Sequence, residues 1–499
     1  MSRSARFLAV DLGAESGRVF LGGFDGGRVS LEELHRFPNV PVRVADGLHW
    51  DVLCLFEETK QGLVRAAGRR VESVGVDSWG VDYALLDRDG VLVSNPYHYR
   101  DTRTAGMMEE AGRRVPREEI YRITGIQFIP LNTLYQLLAM EGSPLLDAAD
   151  RLLMIPDLFA YWLCGERCCE RTAASTTQLY AAEGGWAWDL IRRMRLPERL
   201  FGEVVEPGTA LGGLRPELRE DTGLRGAGVT AVATHDTASA VAAVPARGQN
   251  FAYVSSGTWS LVGVETERPV ISEEGLRYNF TNEGGFGGKN RLLKNVMGLW
   301  LLQECRRVWA REGREYEYGE LARLAAEAPP FGPLVDPDWE GFLLPGDMPG
   351  RIRRFCERTG QRPPEGVGEV VRCVLESLAL KYRWVIERAE RVSGLRAETV
   401  HVVGGGARNE LLCRLTAEAT RRPVVAGPDE ATVLGNVLVQ AYAAGMVGSL
   451  EELREVVRAS IPVRVYEPEE AEEGWDEAYG RLSELVGVAS GELAEGGLV

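Results

Sequence analysis

The 499-residue sequence predicts an α/β protein built from two similar halves, and three observations predict it. Apolar runs of strand length alternate with segments of helical spacing along most of the chain. Each half opens with the same signature, a strand, a tight turn with a small polar tip and a second strand, at residues 7–23 and again at 251–264. The length exceeds what one ordinary core holds, so two domains of similar size are expected.

The opening hairpin reads Phe7–Asp11, then Leu12-Gly13-Ala14-Glu15-Ser16-Gly17, then Arg18–Gly23. A third strand is expected at 29–36, a helix at 51–68, and a buried strand at 71–76 that ends in Asp77-Ser78-Trp79-Gly80-Val81-Asp82. Residues 100–200 read as mostly helical, with loops at Pro116, Pro130, Pro144 and Pro156. A strand at 229–233 gives way to a helix at 237–244, and Pro245-Ala246-Arg247-Gly248 has the composition of a hinge. The second half starts with Phe251–Val254, the tip Ser255-Ser256-Gly257-Thr258 and a returning strand to Val264. Helices are expected at 296–311, 318–327 and 366–394. The strand Val400–Val403 then runs into Gly404-Gly405-Gly406, a helix spans 409–420, and a last helix begins near Ala431. The tail after 466 is acidic and carries no recognisable chemistry.

Composition narrows the function. Hydrophobic residues make up 45% and charged residues 26%, as in ordinary globular proteins. The 57 basic and 73 acidic residues leave a net charge of -16, which argues against nucleic acid or an anionic membrane as partner. No signal segment and no run of ~18 apolar residues is read, so a cytoplasmic location is expected. Eight scattered cysteines do not make a disulfide framework. Cys164, Cys168 and Cys169 lack the second pair of a zinc site, and Cys356 and Cys373 bracket a Pro/Gly-rich loop where they could meet.

Asp236, in Thr234-His235-Asp236-Thr237-Ala238-Ser239, sits where a strand gives way to a helix, the place where α/β folds meet ligands. A carboxylate there either caps the helix or accepts a proton from a bound hydroxyl. The two hairpin tips offer backbone N–H groups without bulk, as phosphate oxygens need. Asp11, just before the first tip, suits a water-mediated magnesium ion. Gly404-Gly405-Gly406 lets a ligand approach a strand end, and with Ala426–Asn436 reads as an adenosine pocket. Neither a dinucleotide-binding fingerprint nor a Walker A loop is present.

The segments VDLGAESGR, GVDSWGVDYALLD, HDTASAV, SSGTWSLVG, NEGG, LKNVMGLWLLQE, HVVGGGARNELL and AGPDEATVLGN occur in this order. Together they resemble the FGGY carbohydrate kinase family over about residues 6–465. The resemblance implies two actin-like (ribonuclease H-like) α/β domains with an interdomain cleft for ATP and sugar. It places an N-terminal domain at 5–245, with the sugar site and first phosphate loop, a nucleotide-binding domain at 250–465, and a tail at 466–499. It further implies that Ala14, Glu15, Ser16, Gly17, Arg18 and Thr258 hold ATP phosphates, and that Gln303 and Gly405 line the nucleotide. Gly80, His235, Asp236, Thr237 and Asn295 would hold the sugar, Asp236 would be the general base, and Mg2+ would accompany ATP at Asp11. Within the family the similarity is to the branch that phosphorylates L-rhamnulose at its 1-hydroxyl, in a monomer or homo-oligomer. Glu15 departs from the small residue usual at its position, since a carboxylate beside phosphates is repulsive. Trp79 and Tyr83 read either as packing for the sugar's apolar face or as core. Alternatives are a family kinase for xylulose, fuculose or glycerol, an actin-like ATPase without a sugar, and a silent sugar-binding regulator.

Overall fold

A computed structural model describes residues 4–45, 47–469 and 474–489. Compact packing groups the chain differently from its sequence halves. One unit gathers Met1–Arg247, Glu265–Leu292 and Glu430–Ile461; the other gathers Gly248–Val264, Leu293–Asp429 and Pro462–Val499.

The first unit is built on a six-stranded mixed sheet in the order Thr209–Gly213, Gly228–Ala231, Ser73–Ser78, Ala5–Leu12, Ser16–Phe24, Val29–Pro38. Ala5–Leu12 and Ser16–Phe24 form the opening hairpin, and Ser73–Ser78 runs parallel to Ala5–Leu12 with Asp11 opposite Asp77. Phe7, Leu8, Ala9 and Val10 are all fully buried, as expected of a strand covered on both faces. The helices Val52–Val64 and Ala431–Ala443 supply that cover. Val19 lies so close to Gly62, and Val437 so close to Gly22, that a Cβ on either glycine would meet the valine methyl at 2.4 Å. Residues 19 and 22 have opposite parity, so the two helices lie on opposite faces of the sheet. The Asp236–Ala242 helix packs on Ala431–Ala443 with almost no gap: a Cβ on Gly435 would stand 1.9 Å from the Ser239 carbonyl oxygen.

The second unit repeats the scheme. The hairpin Phe251–Ser256 and Trp259–Thr266 is again antiparallel, and its first strand again pairs in parallel with a later strand, Thr399–Val403. Six neighbouring strands of a seven-stranded sheet run, in order, Asn290–Met297, Trp259–Thr266, Phe251–Ser256, Thr399–Val403, Val424–Ala426, Arg464–Tyr466. The 28-residue helix Gly366–Ser393 carries the core, with Val374, Leu378, Tyr382 and Ile386 on its buried stripe.

Two local differences from the sequence reading are instructive. The stretch expected to start a helix at 296 is still strand through Met297, and the helix begins at Trp300. The N–H groups of Gly298, Leu299 and Trp300 are taken by the carbonyls of Gly257 and Thr258, which holds the turn open for three residues. The tail contains a helix, Trp475–Ala489, with Trp475, Ala478 and Leu482 buried. Cys356 and Cys373 are buried free thiols in hydrogen-bonding contact, which pushes Cys373 well above the ordinary thiol range.

Candidate active site

In the first unit, strand ends bring carboxylates together. Asp11 and Asp77 close adjacent parallel strands, and Ser78 bridges in parallel to His235, which starts the Asp236 helix. Asp236 is the first residue of that helix (Asp236–Ala242). The cap position belongs to His235, which makes no side-chain cap bond, while Asp236 accepts from the Thr237 N–H (2.5 Å) and hydroxyl (3.1 Å). Burial raises the Asp236 carboxyl above the ordinary range, opposed by His235 and assisted by the Asp11 charge. The group still keeps 29% of its side-chain surface open, so a ligand can reach it. A carboxylate with a raised affinity for protons, accessible from one side, can take a proton from a hydroxyl.

Arg18 is the counterweight. Its guanidinium bonds Asp11 and, at 2.5 Å, Glu430, and the Asp11 charge raises its proton affinity further. Asp77 is fully buried and held well above the carboxylate range, first by burial and then by Asp11. Its Oδ2 accepts from Asn436 Nδ2 at 2.5 Å, while its Oδ1 is buried with no hydrogen-bond partner. Asn436 is one rung of a ladder along the Ala431–Ala443 helix: Gln440 Nε2 donates to Asn436 Oδ1 (2.7 Å) and to the Leu8 carbonyl (3.0 Å), and accepts at Oε1 from the Ser73 hydroxyl (2.6 Å). Within this unit Glu430 and Asn436, which the sequence reading included in an adenosine pocket spanning Ala426–Asn436, bond the Arg18 and Asp77 side chains. Only the i, i+4 spacing of two amides in an otherwise apolar helix hinted at this.

The first hairpin tip is shaped by packing. A Cβ on Gly17 would meet the Phe37 ring at 2.1 Å, so that glycine is required by a neighbour whatever else it contacts. Glu15 is exposed, and its backbone oxygen accepts from the Asn39 N–H. Ala14 and Ser16 are half-buried beside it.

Gly80 lies in a tight turn, where a Cβ would meet Thr176 Cγ2 at 3.0 Å. The next residue, Val81, has φ of 65°, a left-handed conformation that strains a β-branched residue by ~1–3 kcal/mol. The Thr176 hydroxyl accepts from the Val81 N–H (3.0 Å) and the Thr133 hydroxyl donates to its carbonyl (2.6 Å), which holds the strain in place. Asp82, which sequence reading did not single out, is buried under four donors: Trp50 Nε1, Trp79 Nε1, Tyr99 N and Gln136 Nε2. Burial nevertheless raises it to about 6. Trp79 is therefore core, its ring 4.2 Å from that of Trp50, and the Tyr83 hydroxyl is spent on Met140.

The second unit carries Thr258, Asn295, Gln303 and Gly405. Thr258 sits at the half-buried hairpin tip. Gly404 and Gly406 lie against Ser256 of that hairpin; a Cβ on Gly406 would stand 2.0 Å from Ser256 Oγ, whereas one on Gly405 would meet nothing within 4 Å. The open side of the glycine run is thus at Gly405. Gln303, on the Trp300–Arg311 helix, has a buried Oε1 without a hydrogen-bond partner. Asn295 lies in the Asn290–Met297 strand, whose end is fixed by Asp338: Oδ1 accepts from the Met297 N–H at 3.1 Å. Asp338 in turn pairs with buried Lys381 at 3.1 Å, and Lys381 with Asp336 at 2.7 Å.

Residues 7–243 match the N-terminal domain, and residues 252–444 the C-terminal domain, of the FGGY family of carbohydrate kinases. The chain belongs to that family. Family relatives include the rhamnulokinase of Bacteroides thetaiotaomicron, 46% identical over 95% of this chain and 98% of that protein. The rhamnulokinase of Bacillus subtilis is 39% identical over 93% and 96%. Among solved structures, a gluconate kinase from Lactobacillus acidophilus superposes with a TM-score of 0.80 at 15% identity, covering 98% of this chain and 99% of that one. A glycerol kinase from Plasmodium falciparum with ADP gives 0.77 at 14%, covering 98% of each. The α/β fold of two units is therefore that of FGGY sugar kinases. Among the described residues no helix is long and apolar enough to cross a membrane.

Proposed function

We propose that this carbohydrate kinase transfers the γ-phosphoryl group of ATP to the 1-hydroxyl of L-rhamnulose, giving L-rhamnulose 1-phosphate and ADP. The observation that carries the reading is the Asp236 carboxylate, raised by burial yet open to a ligand, on a chain 39–46% identical to rhamnulokinases over nearly its whole length. Asp236 orients the hydroxyl and takes its proton as the phosphoryl group arrives. His235, Thr237, Gly80 and Asn295 hold the sugar. Ala14, Glu15, Ser16, Gly17 and Arg18 face phosphates through the hairpin backbone, as Thr258 does from the second unit. Gly405 offers a bare backbone surface to the nucleotide, and the unpartnered Gln303 Oε1 accepts one of its donors.

Magnesium fits the chemistry of the first unit. Asp11, Glu430 and Asp77 set their charges against the Arg18 guanidinium, Asp236 adds a further carboxylate near Asp77, and one buried carboxylate oxygen lacks a partner. Among the described residues no three acidic, histidine or cysteine side chains are placed to cage a metal. Asp11 would hold such an ion, and Mg2+ would supply neutralisation of charge on the transferred phosphoryl group. A cytoplasmic enzyme, with all eight cysteines reduced, accords with the free thiols.

A coupled ADP-release assay over L-rhamnulose, L-fuculose, L-xylulose, D-xylulose and glycerol tests the reading. L-rhamnulose should give the largest kcat/KM. Equal rates across the panel would reduce the enzyme to an unselective family kinase, and ADP release without sugar would point to an ATPase.

A further inference from the structure

Arg291 has no place in the reading above, yet it is the largest charged side chain fully withdrawn from solvent. It lies in the Asn290–Met297 strand. A buried guanidinium is costly unless every hydrogen finds an acceptor. Arg291 Nε donates to the Gly284 carbonyl at 2.9 Å, and Nη2 pairs with Glu283 Oε2 at 3.2 Å. The same Nη2 stands 3.0 Å from Nδ1 of His235, while Nη1 has no hydrogen-bond partner. His235 Nδ1 also stands 3.3 Å from the same Glu283 oxygen, so Arg291, His235 and Glu283 form one buried cluster.

That contact decides where the imidazole carries its hydrogen. A guanidinium donates and never accepts, so Nδ1, 3.0 Å from Nη2, presents a lone pair to it, and the Glu283 oxygen 3.3 Å from the same Nδ1 takes its hydrogen from Nη2 at 3.2 Å. Nη2 has two hydrogens, one for Glu283 and one for the ring. A neutral imidazole with an acceptor Nδ1 bears its hydrogen on Nε2. Nε2 is the atom turned to the base, 3.5 Å from Asp236 Oδ1. The backbone beneath the ring is pinned as well: the His235 N–H donates to the Thr172 hydroxyl at 3.1 Å, and Thr234 donates through N (3.0 Å) and Oγ1 (2.8 Å) to buried Glu170.

We propose that Arg291 is a positioning residue that fixes His235 as the Nε2–H tautomer, so that the imidazole donates toward Asp236 and the bound sugar. The role rests on the sugar-kinase reading for its catalytic consequence. An imidazole locked this way supports the Asp236 carboxylate without competing for the substrate proton. The opposite tautomer would set the Nε2 lone pair against the Asp236 carboxylate and an Nδ1 hydrogen against the Arg291 guanidinium.

The test is a long-range 1H–15N spectrum of the full chain labelled at histidine, at a pH where the ring is neutral, with His235→Gln assigning the signal. Wild type should show the Nε2–H pattern at His235. Arg291→Lys keeps the charge and loses the planar fork; it should give a mixture with Nδ1–H. Its sugar-dependent kcat should fall on the order of 10- to 100-fold, as for outer partners of a functional histidine, with KM for the sugar moving far less. An Nδ1–H signal in wild type overturns the proposal even if the variant does not fold. So does an Arg291→Lys protein with unchanged tautomer or full kcat. A wild type with Nε2–H that releases no ADP with any sugar would instead overturn the kinase reading and leave the tautomer assignment standing.

Discussion

The two opening hairpins are copies in topology and opposites in chemistry. Each pairs antiparallel with its return strand and parallel with a later strand. The first ends among acidic and basic side chains: Asp11 and Asp77 across a strand register, Arg18 between Asp11 and Glu430, and Asp236 at the head of the Asp236–Ala242 helix. The second ends among neutral ones, with Ser260 bonded to Tyr382, the Thr258 carbonyl occupied by Gly298 and Trp300, and a glycine run closed against Ser256. One scaffold thus carries charge at the end of one hairpin and bare backbone at the end of the other.

The sharpest way to break this contrast is at the charged end. Asp236→Asn should lower kcat by ~100- to 10,000-fold with the thermal melt little changed, because the amide keeps the size and loses the base. Near-normal kcat in a folded variant would reduce Asp236 to a partner of Thr237. At the neutral end, Gly406→Ala drives a Cβ into Ser256 and should disturb binding more than chemistry. KM for ATP is expected to rise about tenfold, equivalent to ~1.4 kcal/mol, with kcat within a few-fold of wild type. A larger loss in kcat than in ATP affinity would erase the distinction between the two ends. The smallest effect is in the pH profile. Burial raises the Asp236 carboxyl, so its proton is held to higher pH than on an ordinary aspartate. The base works ionised, so kcat/KM should rise with pH through a midpoint above the usual aspartate value of about 3.9. A midpoint at or below that value would mean that the Asp236 site is as well solvated as bulk water.

Much of the fold was legible because strand and helix periods are local. The apolar strand at 7–11 and the turns at Gly13 and Gly257 announce themselves within a dozen residues. The Met297–Trp300 junction was misread because its helix start is set by hydrogen bonds to Gly257 and Thr258, some forty residues away. At the site, Asp236 was singled out by its strand–helix position, whereas Asp77, Asp82 and Arg291 drew no assignment. A buried charge looks in sequence like any surface charge. Only its distant partners, Asn436 for Asp77, Gln136 for Asp82 and Glu283 with His235 for Arg291, identify it.

The sequence by itself therefore determined the α/β class, the paired hairpins, the kinase family and the carboxylate at the head of the Asp236 helix, since each rests on short-range pattern or on ordered motifs. The tertiary structure alone decided which charges are buried, which glycines are demanded by neighbours, and that the Glu430–Asn436 stretch packs with the opening strands. Those properties depend on desolvation and close approach between segments hundreds of residues apart, which no local pattern encodes.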